Sequence, residues 1–411
     1  ANCRLNMGNS TSPPRILLLP GRLSKQQTLV DYAVCFLWFL ERLYSRATGG
    51  AKGLALPRLG KGPWDDKANL IKSLAAYHSN HSCTPFSGYP VSFALSDRAS
   101  CMEWYFNQTK WADPSTLWFV KQRHGSLGKH ISLNLSSEVS ANARDRQVQC
   151  PIQSVASKEV PNLLLLDGKK FDNRIYLLIP SLDPLIVLFN KGHLRVSMVK
   201  KVERDRMNLA AHITNLVVQE EATFFNDTSS VFREVDVLRR QLINQQGASG
   251  VRDFQRLQHN IQNAALQVVY AVTEFYNTSE QAKEKGWALL AVDVVVDSDM
   301  NSFVLDVNSK PNPSPQFWGK KLHPQWILDD RSSLIRSAVD IIQEVGFWKK
   351  LQYHPFNGTL HPERQATELS SRSLTQGGWQ LISGSTKSDD GRLHRGQCLG
   401  ETSTHVPPAS L

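Results

Sequence analysis

No apolar run in the 411 residues approaches the ~20 that a membrane-spanning helix needs. The densest, Ala33 to Leu40, is bounded by Asp31, Glu41 and Arg42 and reads as a buried helix. The six cysteines (Cys3, Cys35, Cys83, Cys101, Cys150 and Cys398) form no CxxC pair, which disfavours a metal knuckle and suggests reduced cytosolic thiols. The Walker pattern GxxxxGK[ST] is missing, so a P-loop nucleotidase is disfavoured. Internal repeats are absent too. The chain opens on Ala without a charged-then-apolar leader, and the expectation is that any targeting segment lies outside this sequence.

What is present is globular: 41% hydrophobic and 20% charged residues, and enough length for two or three packed domains. Forty-seven lysines and arginines against 37 acids leave a net charge of +10. That is either a solvated basic surface or the footprint of a polyanionic partner. No zinc spacing, RNA-binding signature or basic amphipathic helix accompanies it, which sets nucleic acid behind an acidic protein tail or anionic lipid. Asn-x-Ser/Thr sequons at Asn9, Asn80, Asn107, Asn134, Asn226, Asn277 and Asn357 exceed the roughly three that composition predicts, and keep a secretory route open.

Strands are expected at Arg15–Pro20, Tyr89–Leu95, Leu117–Lys121, Leu163–Leu166, Arg174–Ile179 and Leu185–Phe189. Helices are expected at Leu29–Tyr44 and Lys67–Tyr77. A Gly/Lys-rich turn separates the first two helices at Gly49–Gly62. Apolar residues at helical period predict two further helices, one through Phe232, Val235, Leu238 and Leu242, the other from Phe254 to Phe275. A strand pair spans Trp287–Val307, and after about Gln352 the composition predicts a disordered tail. The expected units are an N-terminal α/β domain (1–95), a central lobe (96–160), a C-terminal lobe (161–350) and the tail (351–411).

Three stretches carry chemistry. In GWALLAVDVVVDSDMNSFVLDVNSKP, a turn centred between Asp299 and Met300 would set Asp293 across from Asp306, with Asn308 further along the same face. Two carboxylates and an amide oxygen among valines suit a hard cation such as Mg²⁺; the alternative is an edge hairpin whose acids face water. In LWFVKQRHGSLGKHI, Lys121 ends a strand before a small-residue loop holding Gly125, Ser126, Gly128 and Lys129, a loop type that lets backbone amides approach phosphate. In DGKKFDNRIYLLIP, Lys170, Asp172 and Arg174 share one strand face while Phe171 and Ile175 take the other. They could meet a phosphate, a metal or positive group, and a carboxylate respectively, or form a surface charge ladder of little worth.

The order of these elements, with GHLRVS and HITN between them, resembles the tubulin–tyrosine ligase-like family across roughly Gly60 to Pro315. The resemblance implies an α/β ATP-grasp fold and an ATP- and Mg²⁺-dependent enzyme that joins an amino acid, glutamate being favoured, to tubulin or another acidic protein tail. It implies Lys121 and Lys170 as phosphate lysines, Ser126 and Gly128 in the phosphate loop, and Gln149 and Ile152 at the adenine hinge. Asp172, His212, Thr214 and Asn215 would line the nucleotide and reaction centre. Arg174 and Arg195 would position carboxylates, and Asp293, Asp306 and Asn308 would bind Mg²⁺. A monomer in the cytoplasm, cytoskeleton or cilium is implied. The chain departs from the family pattern at Asp306 (Glu is usual), His130 (Gly), Gln122 (Pro) and Cys150-Pro151 (Lys-Tyr), and has a short insertion before Leu163. Two other readings remain: a non-catalytic relative that binds microtubules or acidic proteins, and an ATP-grasp ligase for a small peptide or secreted acceptor.

Overall fold

The computed structural model describes residues 63–84, 87–108, 113–125, 128, 130–139, 150–182, 185–201, 207–222, 228–278, 287–309, 311, 324–342 and 377–382. For residues 3–6, 15–18, 65, 107–108, 222, 276–278, 316–317, 321–322, 339, 343–352 and 383–385 it describes the backbone alone. The helix expected at Leu29–Tyr44 and the turn at Gly49–Gly62 lie outside the described residues.

A short hairpin pairs β1 (Cys3–Asn6) with β2 (Arg15–Leu18). After α1 (Lys67–Asn80) come β3 (Ser92–Leu95), α2 (Arg98–Gln108), β4 (Leu117–Gln122), β5 (Ile131–Leu135) and β6 (Ser154–Lys158). Their four strands form an antiparallel sheet of order β3-β6-β4-β5. The expected boundary near residue 95 thus cuts through a sheet, because β3 pairs with β6. Trp104, Trp118, Leu95 and Ala156 fill the interface between α2 and this sheet.

The second sheet is larger. β7 (Leu165–Leu166), β8 (Lys169–Leu182), β9 (Leu185–Lys200) and β10 (Phe232–Arg233) join β11 (Ala288–Val296) and β12 (Ser302–Asn308). Between them lie α3 (Leu209–His212), α4 (Leu216–Ala222), α5 (Val235–Gln246) and α6 (Ala248–Thr278). β13 (Gln316–Phe317) and β14 (Lys321–Leu322) pair before α7 (Gln325–Gln352). Phe232, read as helical, instead begins a two-residue bridge to β9. Part of the expected tail is ordered: β15 (Gln380–Ser385) adds to β9, anchored by buried Trp379, whose indole N–H donates to Ser337 Oγ at 2.8 Å. An isolated tryptophan in a polar tail gave composition no way to announce that strand.

The period of β8 explains how this sheet makes a site. Its odd residues Phe171, Ile175, Leu177 and Ile179 enter the main core against α6. On the other face the charged triplet Lys170, Asp172 and Arg174 gives way to Tyr176 and Leu178, which pack under Leu334, Ala338 and Ile341 of α7. Half of one face is therefore covered by a helix and half is left open, and the open half is where the charges stand.

Cys101 and Cys150 are joined in a disulfide with Cα atoms 5.9 Å apart, and Cys83 is disulfide-bonded as well. The expected reduced thiols are corrected here. The Cys101–Cys150 partners lie 49 residues apart and meet only because α2 packs beside the entry to β6, a proximity that spacing could not reveal. Closing a loop of that length removes about 4 kcal/mol of unfolded-chain entropy in the loop-closure picture.

Candidate active site

The two sheets face one another across a cleft of about 590 Å³. One wall comes from β4. Lys121 sits at its end, and its Nζ donates to the Leu305 carbonyl at 3.4 Å. Leu305 itself stands at an irregularity of the hairpin. The hairpin turn pairs Val296 with Ser302, one residue tighter than expected, and a bulge between Asp293 and Val294 restores the pairing of Asp293 with Asp306. Leu305 is the extra residue of the bulge. Asp297 fixes the turn by accepting the amides of Asp299 (2.9 Å) and Asn301 (2.8 Å).

Two residues beyond Lys121, Arg123 Nε contacts both Asp66 oxygens at 2.8 and 2.7 Å, and Asp66 caps α1 through the amides of Ala68 and Asn69. Burial pushes the Asp66 carboxyl up, but Arg123 and those amides hold it below the usual range. This clamp presents Lys67, whose Nζ donates to the Gly125 carbonyl at 2.8 Å and lies 3.4 Å from Asp306 Oδ1.

Lys170 is buried with Nζ 4.9 Å from the Phe119 ring centroid. Burial lowers its amine to about 8; nearby Glu159 opposes this, while Lys201 and Lys121 add to it. Burial also lowers Lys121. Glu159 accepts from Lys201 at 2.9 Å and pairs with His212 Nδ1 at 3.2 Å. Desolvation pushes its carboxyl up, yet His212 and Lys201 prevail and hold it at about 2.

The second wall is a chain of cross-strand pairs. Asp172 faces Arg195 in register and Asp293 faces Arg174. Arg195 donates Nε to Asp172 Oδ1 at 2.7 Å and Nη2 to Asp172 Oδ2 at 2.8 Å, and reaches Asp293 Oδ2 at 2.8 Å. Arg174 grips Asp293 at 2.8 and 2.9 Å, and Thr214 donates to Asp172. Burial pushes Asp293 up, but the two guanidinium groups pull it well below the carboxylate range. Burial disfavours the Arg195 cation as well, and Asp172 and Asp293 overcome that and raise it. Glycine is required beside this wall: Gly192 has φ +58, and a Cβ there would lie 1.8 Å from the Arg174 carbonyl.

Lys121, Gly128, Lys170, Asp172, Arg174, Arg195, His212, Thr214, Asn215, Asp293, Asp306 and Asn308 all line this cleft. Gly128, at φ +71, packs where a side chain would press on Asn215 and Val218. Ser126 and Gln149 lie outside the described residues. Ile152 is 46% exposed and away from the cleft, whose border at that level is Ser157, Lys158, Glu159 and Val160. Ile152 is thus not among the residues lining the cleft: Cys150 is held at α2 and the strand enters the cleft only further along. Sequence reasoning also missed Lys67, Glu159 and Arg331. Lys67 has a faint signal, a lysine directly after a helix-capping aspartate. Arg331, from α7, is 8% exposed, lines the cleft, and its Nε has no hydrogen-bond partner among the described residues.

Among the described residues no cluster of three His, Cys, Asp or Glu side chains gathers for a metal. Both oxygens of Asp293 are held by arginine. Asp306 and Asn308 fit a Mg²⁺ ion in donor type, as hard oxygens, with phosphate and water completing the shell.

Antiparallel sheets enclosing a lysine-lined cleft, with acidic strand ends opposite, define an ATP-grasp fold. The model of the Tubulin-tyrosine ligase family matches residues 62–323, and the chain belongs to that family. It is similar to the probable tubulin polyglutamylase TTLL9 of Rattus norvegicus, with 25% identity over 203 residues, 46% of this chain and 42% of that protein. It is also similar to the tubulin polyglutamylase TTLL5 of Homo sapiens (24%, covering 60% of this chain and 19% of the relative). A third is the protein polyglycylase TTLL10 of Rattus norvegicus (26%, covering 48% and 31%). The chain thus spans less than half the length of these relatives.

Proposed function

We propose that the protein is an ATP-dependent ligase that forms an amide bond between a free amino acid and an acidic polypeptide such as a tubulin tail. The observation that carries this reading is a cleft lined by half-buried Lys121, buried Lys170 and Lys67, with Asp306 and Asn308 on the same cleft, in which lysines and arginines outnumber the acids. Such a surplus of cations asks for polyphosphate.

Lys121, Lys170 and Lys67 hold the phosphates, with adenine against the Ser157–Val160 edge. Mg²⁺, held by Asp306 and Asn308, would neutralise charge on the phosphates. The acceptor carboxylate attacks the γ-phosphorus, a P–O bond forms, the bond to the leaving β-phosphate oxygen breaks, and ADP departs. The amine then attacks the acyl carbon, phosphate leaves, and the amine's proton passes to solvent. Arg331 is suited to grip a carboxylate: it is buried beside the cleft, and its Nε has no hydrogen-bond partner among the described residues. The polyglutamylase names of several relatives favour glutamate, and the +10 charge suits an acidic acceptor.

The test is purified protein with Mg²⁺-ATP, tubulin and separately labelled glutamate, glycine and tyrosine. Label in protein with stoichiometric ADP is expected. ATP binding without label in any acceptor would transfer the reading to a non-catalytic relative, which the shorter acid at Asp306 favours.

A further inference from the structure

We propose that this chain matures in an oxidising secretory compartment, with the Cys101–Cys150 disulfide formed there and N-linked glycans at the sequon residues Asn80 and Asn134. Two independent features carry this. The first is cysteine pairing: Cys83, Cys101 and Cys150 are all disulfide-bonded, and Cys101 is fully buried between α2 and the sheet. Such a buried bond staples a core, and structural disulfides of this kind persist where thiols are kept oxidised.

The second is the placement of the sequons. Asn80 is exposed at the end of α1, with its amide on Glu274 Oε1 at 2.9 Å. Asn134 is half-exposed on β5, the edge strand of the smaller sheet, while its neighbours Leu133 and Leu135 turn to the opposite face. A glycan there would also shield an open strand edge. Neither asparagine lines the cleft. The remaining sequons fall on residues or side chains outside the description.

The chemistry balances with co-reactants of that compartment. The two thiols lose two protons and two electrons to a protein disulfide, which becomes a dithiol. Each asparagine amide nitrogen forms a bond to C1 of an oligosaccharide as the C1–O bond to a lipid pyrophosphate breaks and one amide proton leaves. This replaces the cytoplasmic location that the family resemblance implies. If the ligase reading holds, its acceptor is an acidic polypeptide of the same compartment.

The experiment uses the native full chain from its source cells, denatured in an alkylating agent before reduction and then digested with a peptide N-glycosidase. A stepwise gain in mobility, Asn-to-Asp conversion at position 80 or 134, and Cys101 and Cys150 alkylated only after reduction are expected. Asn80→Gln and Asn134→Gln should each remove the step of the site they alter. No conversion at either asparagine, or a thiol at Cys101 alkylated before reduction, overturns the proposal. Neither readout depends on ligase activity, so a silent ligase assay leaves it standing.

Discussion

The two walls of the cleft carry opposite solutions to the same problem, buried charge. On the large sheet, Asp172, Arg195, Asp293 and Arg174 neutralise one another through cross-strand register. Toward β4, Lys121 and, reaching across from β8, Lys170 have their amines pushed down by burial, and Glu159, the acid that most favours the Lys170 charge, is shared with Lys201 and His212. One wall is finished without a ligand; the other is finished only by one. The difference separates what holds the site in shape from what holds substrate.

The sharpest way to break the comparison is to open the finished wall. Arg195→Met leaves Asp172 and Asp293 buried, each short of a partner. Removing one member of a buried ion network costs roughly 3–5 kcal/mol. A correspondingly lower urea midpoint is expected, and activity should fall with it. A midpoint unchanged from the parent protein would show that the ladder is not structural.

The unfinished wall should respond in the opposite way. Lys170→Ala removes a cation that burial already disfavours, so the fold should be as stable as the parent or slightly more so. ATP turnover should fall by about a hundredfold or more, as loss of a preorganised charge contact does. Equal turnover, measured as ADP release at saturating Mg²⁺-ATP, would remove Lys170 from the phosphate site.

Between the walls lies Asp306, paired with Lys67 but not locked as Asp293 is. Asp306→Asn should cut turnover about tenfold or more with little change in stability, since Asp306 is itself exposed enough to be solvated. Asp306→Glu should leave activity equal or higher by lengthening the reach to a cation. If Asp306→Asn turns over normally, the strand end does not serve the reaction.

Much of this site was legible because alternation in a strand is a strict rule. Lys170, Asp172 and Arg174 had to share a face, and the face of Phe171 and Ile175 had to be core. The pairing of Asp293 with Asp306 could be counted out from the turn. The count succeeded by a different route, since the turn is tighter and a bulge makes up the residue. Partners were harder. Asp172 with Arg195, and Asp293 with Arg174, depend on the register of β8 against β9 and β11, which the irregularity at Gly192 shifts. Residues arriving from other elements, Lys67 from α1 and Arg331 from α7, were invisible because nothing local to them marks a site. His130 was noticed for occupying a glycine position, and the reason is physical: it adopts φ 59, a conformation glycine takes freely.

The subtlest effect expected is a proton. In the empty cleft Lys170 titrates near 8, against 10.5 for an unperturbed lysine. Because the folded value is depressed, its burial penalty is complete below pH 8, relaxes as pH rises through 8, and is gone above 10.5. Bound phosphate favours the charged amine and raises that value again. ATP binding at pH 8 should therefore take up about half a proton through this group, and almost none at pH 6.5. Calorimetry in two buffers of different ionisation enthalpy reads the uptake directly. The phosphate itself also titrates, so the decisive comparison is Lys170→Arg, which stays charged throughout. The parent protein should bind ATP with more proton uptake than this variant at pH 8, and with the same uptake at pH 6.5. Identical uptake at both pH values would mean that Lys170 is already charged before ATP arrives, and that the two walls differ less than their geometry indicates.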